Sequence, residues 1–308
     1  MRKVFFFLGK GGVGKTTLAG SFAAYLAETA GRVFAASIDP AHNLFDFLGI
    51  QTAESRAKVS DTLIVEEFDV EGYLKKFLRE SSERMKDTYR YLQMINLENM
   101  FDVLKHSPGM EEYAMLAALH HLFNTWSERV DYIVIDTPPT GLMLRIFALP
   151  KTSLMWLTKL RGLRNKILSR RAQIVHIKGK EALEPDLPYR SEDDAITRQL
   201  AEQENLAQEI WSILSDQQKC KRILVLNYDE LSVREGTKII TDLDSLGIEI
   251  DLAVFNKKGI SSSAEENSTE FSSAINGVKS TEIPFFREST TPRDKMFEIA
   301  TSFASELV

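Results

Sequence analysis

The sequence predicts an α/β protein: a mostly parallel sheet flanked by helices, with an α-helical subdomain inserted into it. Three observations carry that prediction. Short apolar runs alternate with longer amphipathic segments, the pattern of parallel strands joined by covering helices. A glycine-rich loop, GKGGVGKTT at residues 9–17, joins the first apolar run to the first amphipathic one. Two stretches, 70–127 and 151–218, carry helical patterns and no convincing strand, so they read as insertions that pack together beside the sheet.

Taken in order, strands are expected near 3–8, 33–38, 63–69, 131–136, 222–227, 250–256 and 279–283. Helices are expected near 15–29, 231–246 and 291–307. One domain follows, its core formed by about 1–69, 128–150 and 219–308. Pro185, Pro188 and the charged run Arg190–Asp194 mark an exposed turn before the helix that carries Trp211. The polar, serine-rich stretch 257–277 reads as a mobile loop, and no internal repeat is visible.

Composition narrows the function classes. A chain of 308 residues can bury a sizeable core, and its formal net charge of −6 argues against a general nucleic-acid binder. The single cysteine, Cys220, excludes an internal disulfide and a CxxC zinc pair within the chain. Its place between Lys219 and Lys221, at the start of an apolar strand, suits a structural residue. Met1-Arg-Lys3 precedes only five apolar residues, and no run approaches the ~18 that span a bilayer, so a cytoplasmic protein is expected.

Gly9, Gly14, Lys15 and Thr16 satisfy the GxxxxGK[ST] phosphate-loop pattern, with a hydrophobic strand before it and a helical stretch after. Backbone N–H groups across Gly9, Lys10, Gly11, Gly12, Val13, Gly14, Lys15, Thr16 and Thr17 can converge on phosphate oxygens at a helix N-terminus. Lys15 is then expected at the β- and γ-phosphates and Thr16 at Mg²⁺. Asp136 ends the strand Tyr132–Asp136, at the sheet edge where a second magnesium partner is needed. Asp39 ends another strand and is placed to orient an attacking water. His42, alone in the same loop, is not read as a metal ligand. After the strand Leu252–Phe255 comes Asn256-Lys-Lys-Gly259, where a guanine-specific protein carries an aspartate in the last place. Gly259 offers no carboxylate to a guanine edge, which favours ATP over GTP.

Together these residues resemble the ArsA/Get family, the arsenite-pump ATPases and the ATPases that guide tail-anchored membrane proteins. GKGGVGKTT is similar to its deviant Walker A loop, IDPAHNL (38–44) to its switch I, and DTPPTGLMLRIFALP (136–150) to its switch II. Ser107-Pro-Gly-Met-Glu-Glu112 resembles an element of its helical region. The resemblance runs from residue 3 to about 297 and is weakest in 55–95 and 165–215.

It implies an ATP-hydrolysing homodimer in which Lys10 reaches the other subunit's phosphates and Lys15 serves its own. It further implies that Asp39 activates water, that Asp136 lies near magnesium, and that Asn256 contacts adenine. Asp229 stands where relatives carry an acidic residue close to the nucleotide, and Pro284 resembles the loop that packs on the base. The implied partners are a hydrophobic helix or membrane-protein client and a membrane receptor. Departures exist: Leu142 replaces a switch II histidine, and 257–277 has no cysteine for a zinc-held dimer.

Seven methionines (85, 94, 100, 110, 115, 143 and 155) lie in or beside the inserted region, a composition suited to surfaces that accept varied apolar partners. After switch II, Leu154, Leu157, Leu160, Leu163 and Ile167 recur at helical spacing beside many basic residues. That stretch has three readings: core packing with a solvated basic face, a groove for a hydrophobic helix, or a membrane-surface helix. For the whole chain, an anion-transporter ATPase subunit and a MinD-like positioning ATPase stand as alternatives to the client carrier. The C-terminal residues 297–308 show no basic face, which counts against the last.

Overall fold

The computed structural model describes residues 3–39, 41, 43–70, 72, 73, 75, 76, 79, 110–184, 187–259, 275, 277–286 and 292–307. His42, Pro185, most of 70–109 with its three methionines, and nearly all of the expected serine-rich loop lie outside the described residues.

Among the described residues, eight strands form one sheet. β1 (Lys3–Leu8) lies between β5 (Tyr132–Asp136) and β6 (Cys220–Asn227). On one side β2 (Val33–Ser37) joins β5 to β4 (Leu63–Glu67); on the other β7 (Leu252–Lys258) joins β6 to β8 (Ser280–Pro284). All these pairs are parallel. The sequence reading lacks an eighth, antiparallel edge strand, β3 (Arg56–Lys58). Its residues are exposed or half-buried, so no apolar alternation marks it.

Side chains alternate along each strand and divide the apolar residues between two faces. Phe5 and Phe7 face α1 (Lys15–Thr29), the short α2 (Leu44–Leu48) and α7 (Pro292–Ala304). There Phe7 meets Phe22 and Phe303 at ring-centroid distances of 5.9 and 6.1 Å. Phe6 and Leu8 face α3 (Met110–Trp126), the start of α4 (Thr140–Lys178), the end of α5 (Ala195–Leu214) and α6 (Glu230–Leu246). With both faces covered, the central strands are largely apolar, as their sequences suggested, with Arg222 and Asp136 buried among them.

Two placements differ from the sequence reading. The helix α3, expected in the insertion, lies directly on the sheet: Ala114, Met115, Leu122 and Phe123 are buried in the cluster that holds Phe6. Local pattern could not separate a helix lying on the sheet from one lying beside it. The expected boundary at 150 also falls inside α4, a continuous helix of 39 residues that contains Pro150. Met143, Ile146, Phe147 and Pro150 are buried at its start, but beyond them only Leu168 is. The helix therefore leaves the sheet and packs on α5, where the Arg164 guanidinium donates two hydrogen bonds, of 2.9 and 2.6 Å, to Asp194. No helix among the described residues is long and apolar enough to cross a membrane.

Candidate active site

Parallel strands put their carboxyl ends on one edge, so β1, β2, β5 and β7 deliver their terminal residues to one place. The loop after β1 bends tightly. Gly9 (φ 145°) passes so close to β6 that a Cβ would lie 2.4 Å from the Val225 carbonyl oxygen. Gly14 (φ 100°) precedes α1, and a Cβ there would lie 2.4 Å from the Asn256 amide nitrogen. Both positions exclude side chains sterically and conformationally.

Lys15, at the first turn of α1, is buried, and its Nζ donates to the Lys10 carbonyl oxygen at 3.1 Å. Burial pulls its pKa below the usual lysine value, opposed by the charges of Asp136 and Asp39. Beneath it, Asp136 is almost fully buried. Its Oδ2 accepts from the Thr16 hydroxyl at 2.8 Å and from the Ser37 hydroxyl at 3.2 Å. Oδ1 is buried with no hydrogen-bond partner among the described residues. Burial raises its pKa to about 6 against the hydrogen bond from Thr16 and the charge of Lys15. An orphaned carboxylate oxygen beside a threonine hydroxyl fits a hard divalent cation, whose charge would restore the ionised form.

Asp39 lies above this group, its Oδ1 accepting from the Ala41 N–H at 3.0 Å. A cavity of about 570 Å³ joins Gly11, Gly12, Gly14, Lys15, Thr16 and Thr17 to Asp39, Asn256 and Pro284. It extends to Phe285 and Phe286, two aromatic residues that the sequence reading passed over although they follow Pro284 directly. Asn256 braces the phosphate loop: its Nδ2 donates to the Val13 carbonyl oxygen at 2.8 Å. Lys257 was missed altogether. It holds φ 61°, uncommon for a side chain with a Cβ, and its Nζ donates to the Gly12 carbonyl oxygen at 2.9 Å. No local sequence signal marks either contact.

Of the singled-out residues, Gly9, Lys10, Val13, Asp136 and Asp229 do not line this cavity, and Lys10 and Asp229 turn elsewhere. Asp229 caps α6, accepting from the Ser232 N–H at 2.7 Å, as its position before that helix favours. Lys10 turns to a neighbouring cavity of about 370 Å³ lined by Gly141, Leu144, Glu235 and Lys238, with its Nζ 4.0 Å from the Glu235 carboxylate. Lys10 and Lys15 thus leave the same loop in different directions.

A glycine-rich loop at the carboxyl edge of a mostly parallel sheet, with a buried acid below it, is consistent with the α/β fold of the P-loop nucleotide hydrolases. Comparison with known proteins narrows the class. A family model described as anion-transporting ATPase matches residues 2–284, and the chain belongs to that family. It is an ATPase. A putative arsenical pump-driving ATPase 2 from Aquifex aeolicus is 30% identical over 83% of this chain and 80% of its own length. A putative arsenical pump-driving ATPase from Prosthecochloris vibrioformis is 30% identical over 83% of this chain, which spans 61% of that relative. ATPase GET3 of Malassezia globosa is 28% identical over 81% of this chain and 70% of its own length.

Proposed function

We propose that this ATPase is a cytoplasmic homodimeric switch that couples ATP binding and hydrolysis to capture and release of a hydrophobic helix, such as the anchor of a membrane protein. One observation carries the reading. The helix that begins four residues after Asp136, at Thr140, continues unbroken to a face on which Met155, Trp156 and Leu163 are 63, 62 and 57% exposed. A rigid element thus runs from the phosphate site to an apolar surface, the kind of connection that transmits nucleotide state.

In this reading the amides of residues 9–17 and Lys15 hold the phosphates, Thr16 and Asp136 hold Mg²⁺, and Asp39 orients water. Asn256 and Pro284 flank the adenine. Magnesium supplies charge neutralisation at the transferred phosphoryl group. Lys10, turned off its own cavity, serves the partner subunit, and Asp229 approaches the nucleotide only if the dimer brings it there.

Mixing Lys10→Ala with Lys15→Ala chains tests the dimer. Each variant alone is expected to be inactive, and mixed dimers to regain one intact site. No recovery in confirmed mixed dimers would sink the trans role. Client coupling is tested by retention of hydrophobic C-terminal helices with and without ATP; equal retention removes it. The names of two relatives favour a second reading, an anion-pump subunit. An arsenite version has no thiolate to use here, because Cys220 is fully buried and burial pushes its thiol up to about 12. Arsenite is expected to leave hydrolysis unchanged.

A further inference from the structure

Beyond Pro150, α4 carries a pattern that nucleotide chemistry does not use. Trp156, Leu160, Leu163, Ile167, Ile174 and Ile177 are exposed by 62, 44, 57, 37, 40 and 77%. They follow one another at an alternating four-and-three spacing, with Arg170 at the one polar place in the repeat. This is a seam about 32 Å long with two positions per heptad, the pattern by which one helix packs its knobs into the holes of another. A helix lying on a membrane presents a broader apolar face. Here Lys159 and Lys166 border the stripe on one side, with Arg171 and Lys178 on the other, and Met155 is the one exposed large apolar residue of the helix off the seam.

Charge selects the partner. The 39 residues of α4 include nine Lys and Arg and no Asp or Glu, in a chain of net charge −6. Toward α5 the cations are met: Arg164 by Asp194 and Arg161 by Glu204. Toward solvent, Lys159, Lys166, Arg170 and Lys178 are exposed and have no carboxylate partner among the described residues. A second copy of this helix would set like charges edge to edge, which disfavours self-pairing.

We propose that this face docks an amphipathic helix of a partner protein, one with an apolar heptad seam, acidic edges and a carboxylate opposite Arg170. The inference rests on reading α4 as the client-facing element, but not on its coupling to ATP. A uniformly apolar helix would leave the basic edges unanswered, whereas glutamates flanking a seam would answer them along its length.

Fluorescence anisotropy on the nucleotide-free full chain tests this with three labelled peptides of about four heptads. One has a leucine seam with Glu edges, one the same seam with Lys edges, and one is a Leu/Ala helix with uncharged edges. The Glu-edged peptide is expected to bind at least about tenfold more tightly than either of the others, and to weaken as salt rises. Leu163→Asp with Ile167→Asp should abolish that binding, with basal ATP hydrolysis and melting temperature as in the parent. Equal binding of the Glu- and Lys-edged peptides overturns the proposal. Preference for the uncharged helix also overturns it, while leaving the hydrophobic-client function standing. Capture by phosphatidylserine vesicles without binding of the Glu-edged peptide, or dimerisation of the chain that the two substitutions remove, overturns it in favour of a lipid surface or a second copy.

Discussion

The two ends of α4 sit in opposite environments. At its start, side chains meet the sheet and the phosphate loop, and polar groups are tied by short bonds such as Thr16 to Asp136 at 2.8 Å. At its far end, apolar side chains face water beside Lys159, Lys166, Arg170 and Lys178, which have no carboxylate partner among the described residues. In the first region one buried oxygen of Asp136 has no hydrogen-bond partner among the described residues, which suits the ion-sized ligand proposed there. The second offers an exposed stripe the length of a helix, which suits the macromolecular partner proposed for it. The contrast is between a site fitted to a small charged ligand and a surface fitted to a macromolecule.

The largest effect is expected where the far half of α4 is clamped to α5. Asp194 is fully buried, pairs with Arg164, and caps α5 by accepting from the Thr197 N–H at 3.0 Å. Asp194→Ala leaves a mostly buried guanidinium unpaired and is expected to cost about 3–5 kcal/mol in denaturant unfolding. Because the clamp lies on the far half of α4, binding at the exposed face should fail before nucleotide binding does.

Lys15→Ala should lower ATP turnover by about 10²–10³-fold, because in the proposed reading it removes the buried cation that serves the phosphates. Melting temperature and binding at the α4 face should change little. Loss of both activities would erase the distinction between the regions.

The clamp also predicts a pH window. Hydrogen bonds from Arg164 and Thr197 outweigh burial and hold the Asp194 pKa at about 2, below its ordinary 3.8. Because the folded value is the lower one, the stabilisation is complete above about pH 4 and is lost as pH falls toward 2. The loss amounts to roughly 2 kcal/mol. Asp194→Asn should flatten that part of the stability curve relative to the parent, as read from urea melts across the acid range.

The smallest effect belongs to the open face. Leu163→Asp is expected to change stability by no more than about 0.5 kcal/mol, since the side chain is 57% exposed. A large loss would mean that the face is already covered within the chain.

Much of the candidate site's geometry was legible because its signal is local: nine consecutive residues encode loop, turn and helix start. Asp39 and Asp136 were legible one step later, since parallel strands align their carboxyl ends. Lys257 and Glu235 were not, because nothing in their neighbourhoods says which loop they meet. Lys257 reaches Gly12 across 245 residues, through a backbone conformation that its residue type does not announce. β3 was missed for lack of an apolar pattern, and α3 was misplaced because a helical pattern does not state what the helix lies on. The apolar set Leu154 to Ile167 gave the right helix but only part of its exposed face; Leu154 and Leu157 turn partly inward, and Ile174 and Ile177 extend the stripe.

By itself the sequence determined the parallel α/β core, the phosphate loop and the acidic residues at the strand ends, all of which follow from short-range pattern and chain geometry. Only the tertiary structure decided that α4 is one helix with two environments, that Asn256 braces the loop through Val13, and that Lys10 turns toward Glu235. Those outcomes depend on which distant surfaces pack together, and packing is a property of the whole chain rather than of any segment.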